Sequence, residues 1–183
     1  MKRYFTFMFV GMVFALVGEF MFKFFAQPSM EVFWGMTVVY LVILTFVYFS
    51  GKLMDMIFKR KLLAEVNCYV LYGLMGLAIE WFLIGNSPWG NPDADQLGMF
   101  SFWATVCFGP RIFLNDRKGV AGVKRGIKMF FFIYAVISTV MGIVLPQPYR
   151  LYWIVIFFIV AYDLMNIFYF RYFLILRADE GTR

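Results

Sequence analysis

The chain has 183 residues, of which 63% are hydrophobic, 22% are aromatic and only 15% are charged. Soluble domains carry about 25% charged residues, so this composition argues against a soluble fold and favours a lipid environment. The complete lack of histidine argues against haem ligation, most catalytic zinc and di-iron sites, and every histidine-based triad or proton relay.

Six apolar stretches have the length that a helix needs to cross a bilayer, about 17–25 residues. They lie at 4–27, 31–50, 63–86, 98–115, 127–145 and 150–175. Prolines, which end helices at little cost, lie between several of them: Pro28, Pro88, Pro92, Pro146 and Pro148. The sequence therefore predicts an all-α polytopic transmembrane bundle of six helices, forming a single domain over 1–183.

The first stretch resembles a secretory signal because Lys2 and Arg3 precede an apolar run. That run continues to about Gln27, whereas the apolar region of a signal spans about 7–15 residues. A cleavage site needs small residues, and Phe24 precedes Ala26 where one would be required. We therefore predict a first helix that is retained.

The first and third stretches contain a similar short sequence around a glutamate. Glu19 lies within Leu16–Phe22, and Glu80 lies at the corresponding depth within Leu77–Leu83. Repeats of this kind are common in transporter folds.

Each of these glutamates shares a helix face with small residues, where transmembrane helices pack closely. The small residues are Gly11 and Ala15 in the first stretch, and Gly73 and Gly76 in the third. We therefore predict that both carboxylates point into the bundle. Lys23, four residues after Glu19, is predicted to pair with it.

The third to fourth connection, 85–96, is the longest loop on its side of the membrane and is rich in polar side chains. Asp93 and Asp95 would suit calcium or magnesium, which prefer oxygen ligands. Ordinary turn chemistry also accounts for them, so we predict a solvated turn or a lid, and neither a metal site nor a cofactor.

Other charges also lie inside the predicted spans, where a charge at mid-bilayer costs at least about 2.5–3.5 kcal/mol. Arg111 and Arg171 are close enough to one membrane surface for their long side chains to reach the headgroups. Asp163, with Asn166 one turn away, lies near mid-depth, and we expect it to find a partner on another helix. Pro110 is predicted to kink or break the fourth helix.

Basic residues predict the orientation, because Lys and Arg in short loops stay in the cytoplasm. One side holds thirteen of them: Lys2, Arg3, Lys52, Lys59, Arg60, Lys61, Arg117, Lys118, Lys124, Arg125, Lys128, Arg177 and Arg183. The loops of the other side hold only Arg150. We predict a plasma-membrane protein with both termini cytoplasmic. The net charge of +6 then indicates contact with anionic lipids rather than nucleic acid.

All five tryptophans fall on the side opposite the basic loops. They are Trp34, Trp81, Trp89, Trp103 and Trp153. An aromatic belt at headgroup level accounts for them. The alternative is a ligand-facing role near the third to fourth connection, which is predicted to lie outside.

The first functional hypothesis is a small transporter, or the solute-binding membrane subunit of one, with an outward-facing polar pocket for a small molecule or cation. Its candidate residues are Glu19, Lys23, Glu80, Trp81, Trp89, Trp103, Asp163 and Asn166. A second hypothesis is a membrane-embedded enzyme that acts on a lipid or isoprenoid by carboxylate acid–base chemistry. A third is a non-catalytic subunit that packs against a membrane-protein partner or a second copy of the chain.

Overall fold

The computed structural model describes residues 1–26, 28–92 and 95–181. Within these ranges the chain forms six α-helices: α1 (Lys2–Phe20), α2 (Met30–Ile57), α3 (Lys61–Ile79), α4 (Gln96–Phe113), α5 (Val120–Val144) and α6 (Tyr149–Gly181). A π-helical segment continues α1 at Met21–Ala26, and another continues α3 at Glu80–Ile84. The prediction of an all-α chain with six helices is confirmed.

Five of the helices are long and apolar enough to cross a bilayer. The candidate spans are Lys2–Phe25, Met30–Ile57, Lys61–Ile84, Val120–Val144 and Tyr149–Gly181. Their outward faces carry large apolar side chains, such as Phe9, Val42 and Phe132, that are more than half exposed and would contact lipid. By helix length and hydropathy, the chain is a multi-pass membrane protein.

The fourth helix differs from the other five because protein surrounds it. Every residue from Ser101 to Pro110 is buried, and α4 packs against α1, α3 and α6. A helix that contacts protein rather than lipid can carry small and polar residues, such as Thr105 and Gly109, at no cost to membrane insertion. The main hydrophobic cluster is built around α4 and draws on all six helices.

Glycines allow two helices to approach α4 closely, as their positions in the sequence predict. A Cβ at Gly11 would lie 3.2 Å from the Val106 carbonyl oxygen, and a Cβ at Gly76 would overlap the Trp103 side chain. The Val106 carbonyl lacks its usual donor four residues later, because Pro110 has no N–H. Pro110 nevertheless does not break α4, which continues to Phe113.

Three helix boundaries extend well beyond the hydropathy limits, one of them the end of α6, which continues to Gly181 rather than ending near residue 175. α2 continues to Ile57 rather than ending near residue 50, and α5 begins at Val120 rather than near 127. Lys52 and Asp55 lie in the additional turns of α2. A hydropathy window ends where charges begin, but a helix continues as long as its backbone hydrogen bonds are satisfied.

Contacts between termini and loops gather most of the basic residues at one end of the bundle. The Arg3 guanidinium donates to the Leu114 carbonyl at 3.1 Å, and the Leu62 amide donates to the Glu180 carboxylate at 2.8 Å. We call this the basic end. The opposite end, called the acidic end, carries Glu19, Glu31, Glu80 and Asp95.

Candidate functional site

A cavity of about 430 Å³ lies at the acidic end, between α1, α2, α3, α4 and α6. Its polar lining residues are Glu19, Lys23, Glu80 and Asn86. The rest of its wall is apolar or glycine: Gly18, Phe22, Val32, Met36, Leu83, Ile84, Met99, Phe102 and Phe158. The two predicted glutamates therefore share one site, and Lys23 belongs to it.

Glu80 is held rigidly at the back of this cavity. Its side chain is 9% exposed, and both carboxylate oxygens accept hydrogen bonds. Oε1 accepts from the Trp103 indole N–H at 3.0 Å, and Oε2 accepts from the Asn86 amide at 2.8 Å. The buried Trp103 in turn packs against Gly76, so the small-residue face of α3 positions the donor that fixes its own glutamate.

Glu19 is less constrained than Glu80. Its Oε1 accepts a hydrogen bond from the hydroxyl of the buried Tyr40 at 2.7 Å. Its Oε2 has no hydrogen-bond partner among the residues that the structure describes. Lys23 and Glu80 both lie close enough to act on Glu19 electrostatically. Glu19 therefore carries the oxygen that is available to a ligand.

Lys23 acts on Glu19 electrostatically, as the predicted pairing requires, but the two side chains make no direct contact. Both residues line the cavity and both lie in the described part of the chain, but no ion pair joins them. The helix changes from α to π at Met21, between the two residues. The wider π turn rotates position i+4 away from position i, and Tyr40 occupies the Glu19 oxygen instead.

The similarity between the first and third helices includes their backbone conformation. α1 and α3 each have 19 residues. α1 becomes π-helical two residues after Glu19, whereas α3 becomes π-helical at Glu80 itself, whose carbonyl accepts from Asn86 N–H at 2.9 Å. Single-turn π segments are frequent at functional sites, and both of these border the same cavity.

The three predicted tryptophans surround the site without lining it, although all of them are described. Trp103 holds Glu80 from behind. The Trp81 indole donates to the Gln96 amide oxygen at 2.6 Å, which ties the end of the 85–96 connection to the π-helical segment after α3. Trp89 is 70% exposed and packs edge-on against Trp81. In the structure, Trp103 contacts the Glu80 carboxylate, and Trp81 and Trp89 contact the loop or each other, while none of the three lines the cavity.

Asp163 and Asn166 lie in a separate network that does not reach the cavity. Asn166 accepts from the Tyr69 hydroxyl at 2.7 Å and donates to Ser101 at 2.9 Å. Ser101 also interacts with Asp163. The Asp163 Oδ1 atom is buried without a hydrogen bond, and within the described ranges no cation pairs with this carboxylate. The expected partner from another helix is therefore a hydroxyl, not a charge.

Of the two aspartates weighed as metal ligands, Asp95 has a structural role. It precedes α4, and its Oδ2 accepts from the Gly98 amide at 3.0 Å, as an N-terminal cap does. Asp93 lies outside the described residues.

An ion-pair network at the basic end, with a buried pair at its centre and two partly exposed members, was not predicted from the sequence. The Arg111 guanidinium makes a bidentate contact with the Glu65 carboxylate at 2.8 and 3.2 Å. It also contacts the Asp55 carboxylate at 2.9 Å. Lys61 completes it, at 2.7 Å from Asp55 and 2.8 Å from Glu65. Two carboxylates therefore neutralise Arg111, a role that the sequence analysis did not predict. Glu65 itself could have indicated this network, because it is a charged residue within the third apolar stretch.

No protein-family model matches the chain, and no curated protein or solved structure is significantly similar to it. Function must therefore be inferred from the geometry of the cavity.

Proposed function

We propose that the chain is a small membrane transporter, or the solute-binding membrane subunit of one, whose substrate is an organic cation with an apolar body. One observation carries this proposal: Glu19 and Glu80 share a single cavity, and Glu19 keeps an oxygen unbonded among the described residues. In the orientation predicted from the basic loops, this cavity faces the outside.

The charge of the lining favours a cation. Two carboxylates face one ammonium, that of Lys23, so the formal charge of the lining is −1. The surrounding wall is largely apolar, and a low-dielectric wall strengthens the attraction between a carboxylate and a cation. Apolar groups of the substrate would contact residues such as Phe102 and Phe158.

The size of the cavity favours a small solute. Ligand sites for small molecules typically measure about 300–1,000 Å³, and this cavity of about 430 Å³ lies within that range. Two π-helical segments, a feature that is frequent at functional sites, border this cavity. They are the elements that we expect to move when a substrate is released.

The test is binding of benzyltrimethylammonium to the purified chain in detergent, measured by equilibrium dialysis. Benzenesulfonate, an anion of similar size, serves as the control ligand. Glu19→Gln should weaken binding of the cation about tenfold or more, equivalent to about 1.4 kcal/mol. Glu31→Gln should not change it, because Glu31 is an exposed carboxylate at the same end, outside the cavity.

Equal binding of the anion, or equal losses in the Glu19 and Glu31 variants, would contradict cation recognition. Uptake of the labelled cation into liposomes containing the protein then distinguishes a transporter from a subunit that only binds. Abundance and thermal stability of Glu19→Gln, measured in parallel, separate loss of binding from loss of folding.

The rim of the cavity favours a second candidate, an enzyme acting on lipids. Leu83 is 80% exposed, and Val32 and Ile84 are nearly half exposed. An apolar rim of this kind would admit a lipid from the bilayer to the paired carboxylates, one of which would act as general acid or base. Conversion of a lipid extract by wild type but not by a stable Glu19→Gln variant, without cation binding, would favour this candidate.

A further inference from the structure

A second cavity, of about 390 Å³, lies at the basic end. Five cationic side chains line it: Arg3, Lys52, Lys61, Arg111 and Arg117. Three carboxylates also line it: Asp55, Glu65 and Asp116. The formal charge of the lining is therefore +2, opposite in sign to that of the cavity at the acidic end.

Two of the carboxylates neutralise two of the cations. Asp55 and Glu65 are each within 2.9 Å of both Arg111 and Lys61, so these four groups form a closed and neutral cluster. The third carboxylate, Asp116, is 86% exposed, and its nearest cation is Lys124, which does not line the cavity. The excess positive charge therefore comes from the remaining three cations.

These three cations keep unused donors toward the cavity. The Arg3 guanidinium makes one hydrogen bond, to the Leu114 carbonyl. The Lys52 ammonium lies 4.6 Å from the centre of the Tyr48 ring and has no carboxylate partner in the described part of the chain. Arg117 has one distant partner, Asp179, at 3.6 Å, and both side chains are partly exposed.

We propose that this cavity binds a phosphate-bearing anion. Arginine recognises phosphate through paired N–H donors, and lysine supplies a point charge, so Arg3, Lys52 and Arg117 provide the donor set that a phosphate needs. The Phe7 and Leu114 side chains add an apolar wall. The phosphate would belong either to an anionic lipid headgroup or to a soluble compound, and both offer the same chemistry.

The experiment measures the thermal unfolding midpoint of the purified chain in neutral detergent. One arm adds phosphatidylglycerol, with phosphatidylcholine as the lipid control, and the other adds inorganic phosphate, with chloride at equal ionic strength. A ligand at about 100 times its dissociation constant should raise the midpoint by about 5 °C or more. Stabilisation by phosphatidylglycerol alone identifies a lipid site, and stabilisation by phosphate identifies a soluble ligand.

Lys52→Gln and Arg3→Gln should each remove at least half of the stabilisation. Both side chains belong to exposed residues, so the variants should fold, and Arg117→Gln provides a third test. Lys118→Gln is the matched control, because Lys118 is an exposed cation next to Arg117 but outside the cavity. The proposal is overturned if neither ligand stabilises the protein, or if Lys118→Gln reduces the effect as much as Lys52→Gln does.

Discussion

Glu65 is a buried charge in the bundle whose charged partners are already in place. Its carboxylate is 2% exposed, and its two oxygens face Arg111 and Lys61. The two N–H groups of Arg111 match the two carboxylate oxygens, a geometry that lysine cannot reproduce. The pair joins α3 to the end of α4, directly where the central helix leaves the protein interior.

Breaking this pair should strongly destabilise the protein. Glu65→Gln leaves Arg111 buried with only Asp55 as a charged partner, and removing one member of a buried pair typically costs about 3–5 kcal/mol. We expect a clear fall in the thermal unfolding midpoint in detergent. Asp116→Asn is the control, because the Asp116–Lys124 contact of 3.6 Å is exposed and should contribute little. Equal midpoints for the two variants would show that water screens the Arg111–Glu65 pair.

At the scale of elements, α4 is defined by its neighbours rather than by its own hydropathy. Its existence could be predicted from an apolar stretch, but its central position depends on how the other helices rotate. The small residues of α1 and α3 indicated which faces turn inward, so the shared cavity of Glu19 and Glu80 was predictable. The π turn at Met21 carries no such signal, so the lack of a direct contact between Glu19 and Lys23 could not be predicted.

The packing of α3 against α4 can be tested at Gly76. A Cβ there would overlap the Cβ and Cγ atoms of Trp103, and overpacking of this kind costs about 1–3 kcal/mol. Gly76→Ala should lower the unfolding midpoint and, by displacing Trp103 from Glu80, weaken binding of the cation. Gly35→Ala is the matched control, because nothing lies within 4 Å of a Cβ at that helical position. Replacing an unhindered helical glycine should be neutral or slightly stabilising.

At the scale of the whole molecule, the two ends carry opposite charge and each contains a cavity. The clustering of loop cations was visible in the sequence, because it depends only on the order of helices and loops. The cavity at the basic end could not be predicted from the sequence, because it forms from side chains of four separate regions, represented by Arg3, Lys52, Glu65 and Arg111. Asp163 was predicted to line the glutamate cavity for the same reason. The sequence gives the position of a residue along its helix, but the direction of its side chain depends on tertiary packing.

The predicted orientation, with the basic end in the cytoplasm, determines which side each cavity faces, and labelling with a membrane-impermeant maleimide tests it. The native Cys68 and Cys107 are fully buried, so the wild type should remain unlabelled. Asn91→Cys places a thiol on the exposed outer loop, and Lys118→Cys places one on the α4–α5 connection. In intact spheroplasts only the Asn91 variant should react, and the Lys118 variant should react after lysis. Labelling of Lys118→Cys before lysis would show that the predicted orientation is wrong. The glutamate cavity would then open to the cytoplasm, and an anionic lipid bound at the basic end would come from the outer leaflet.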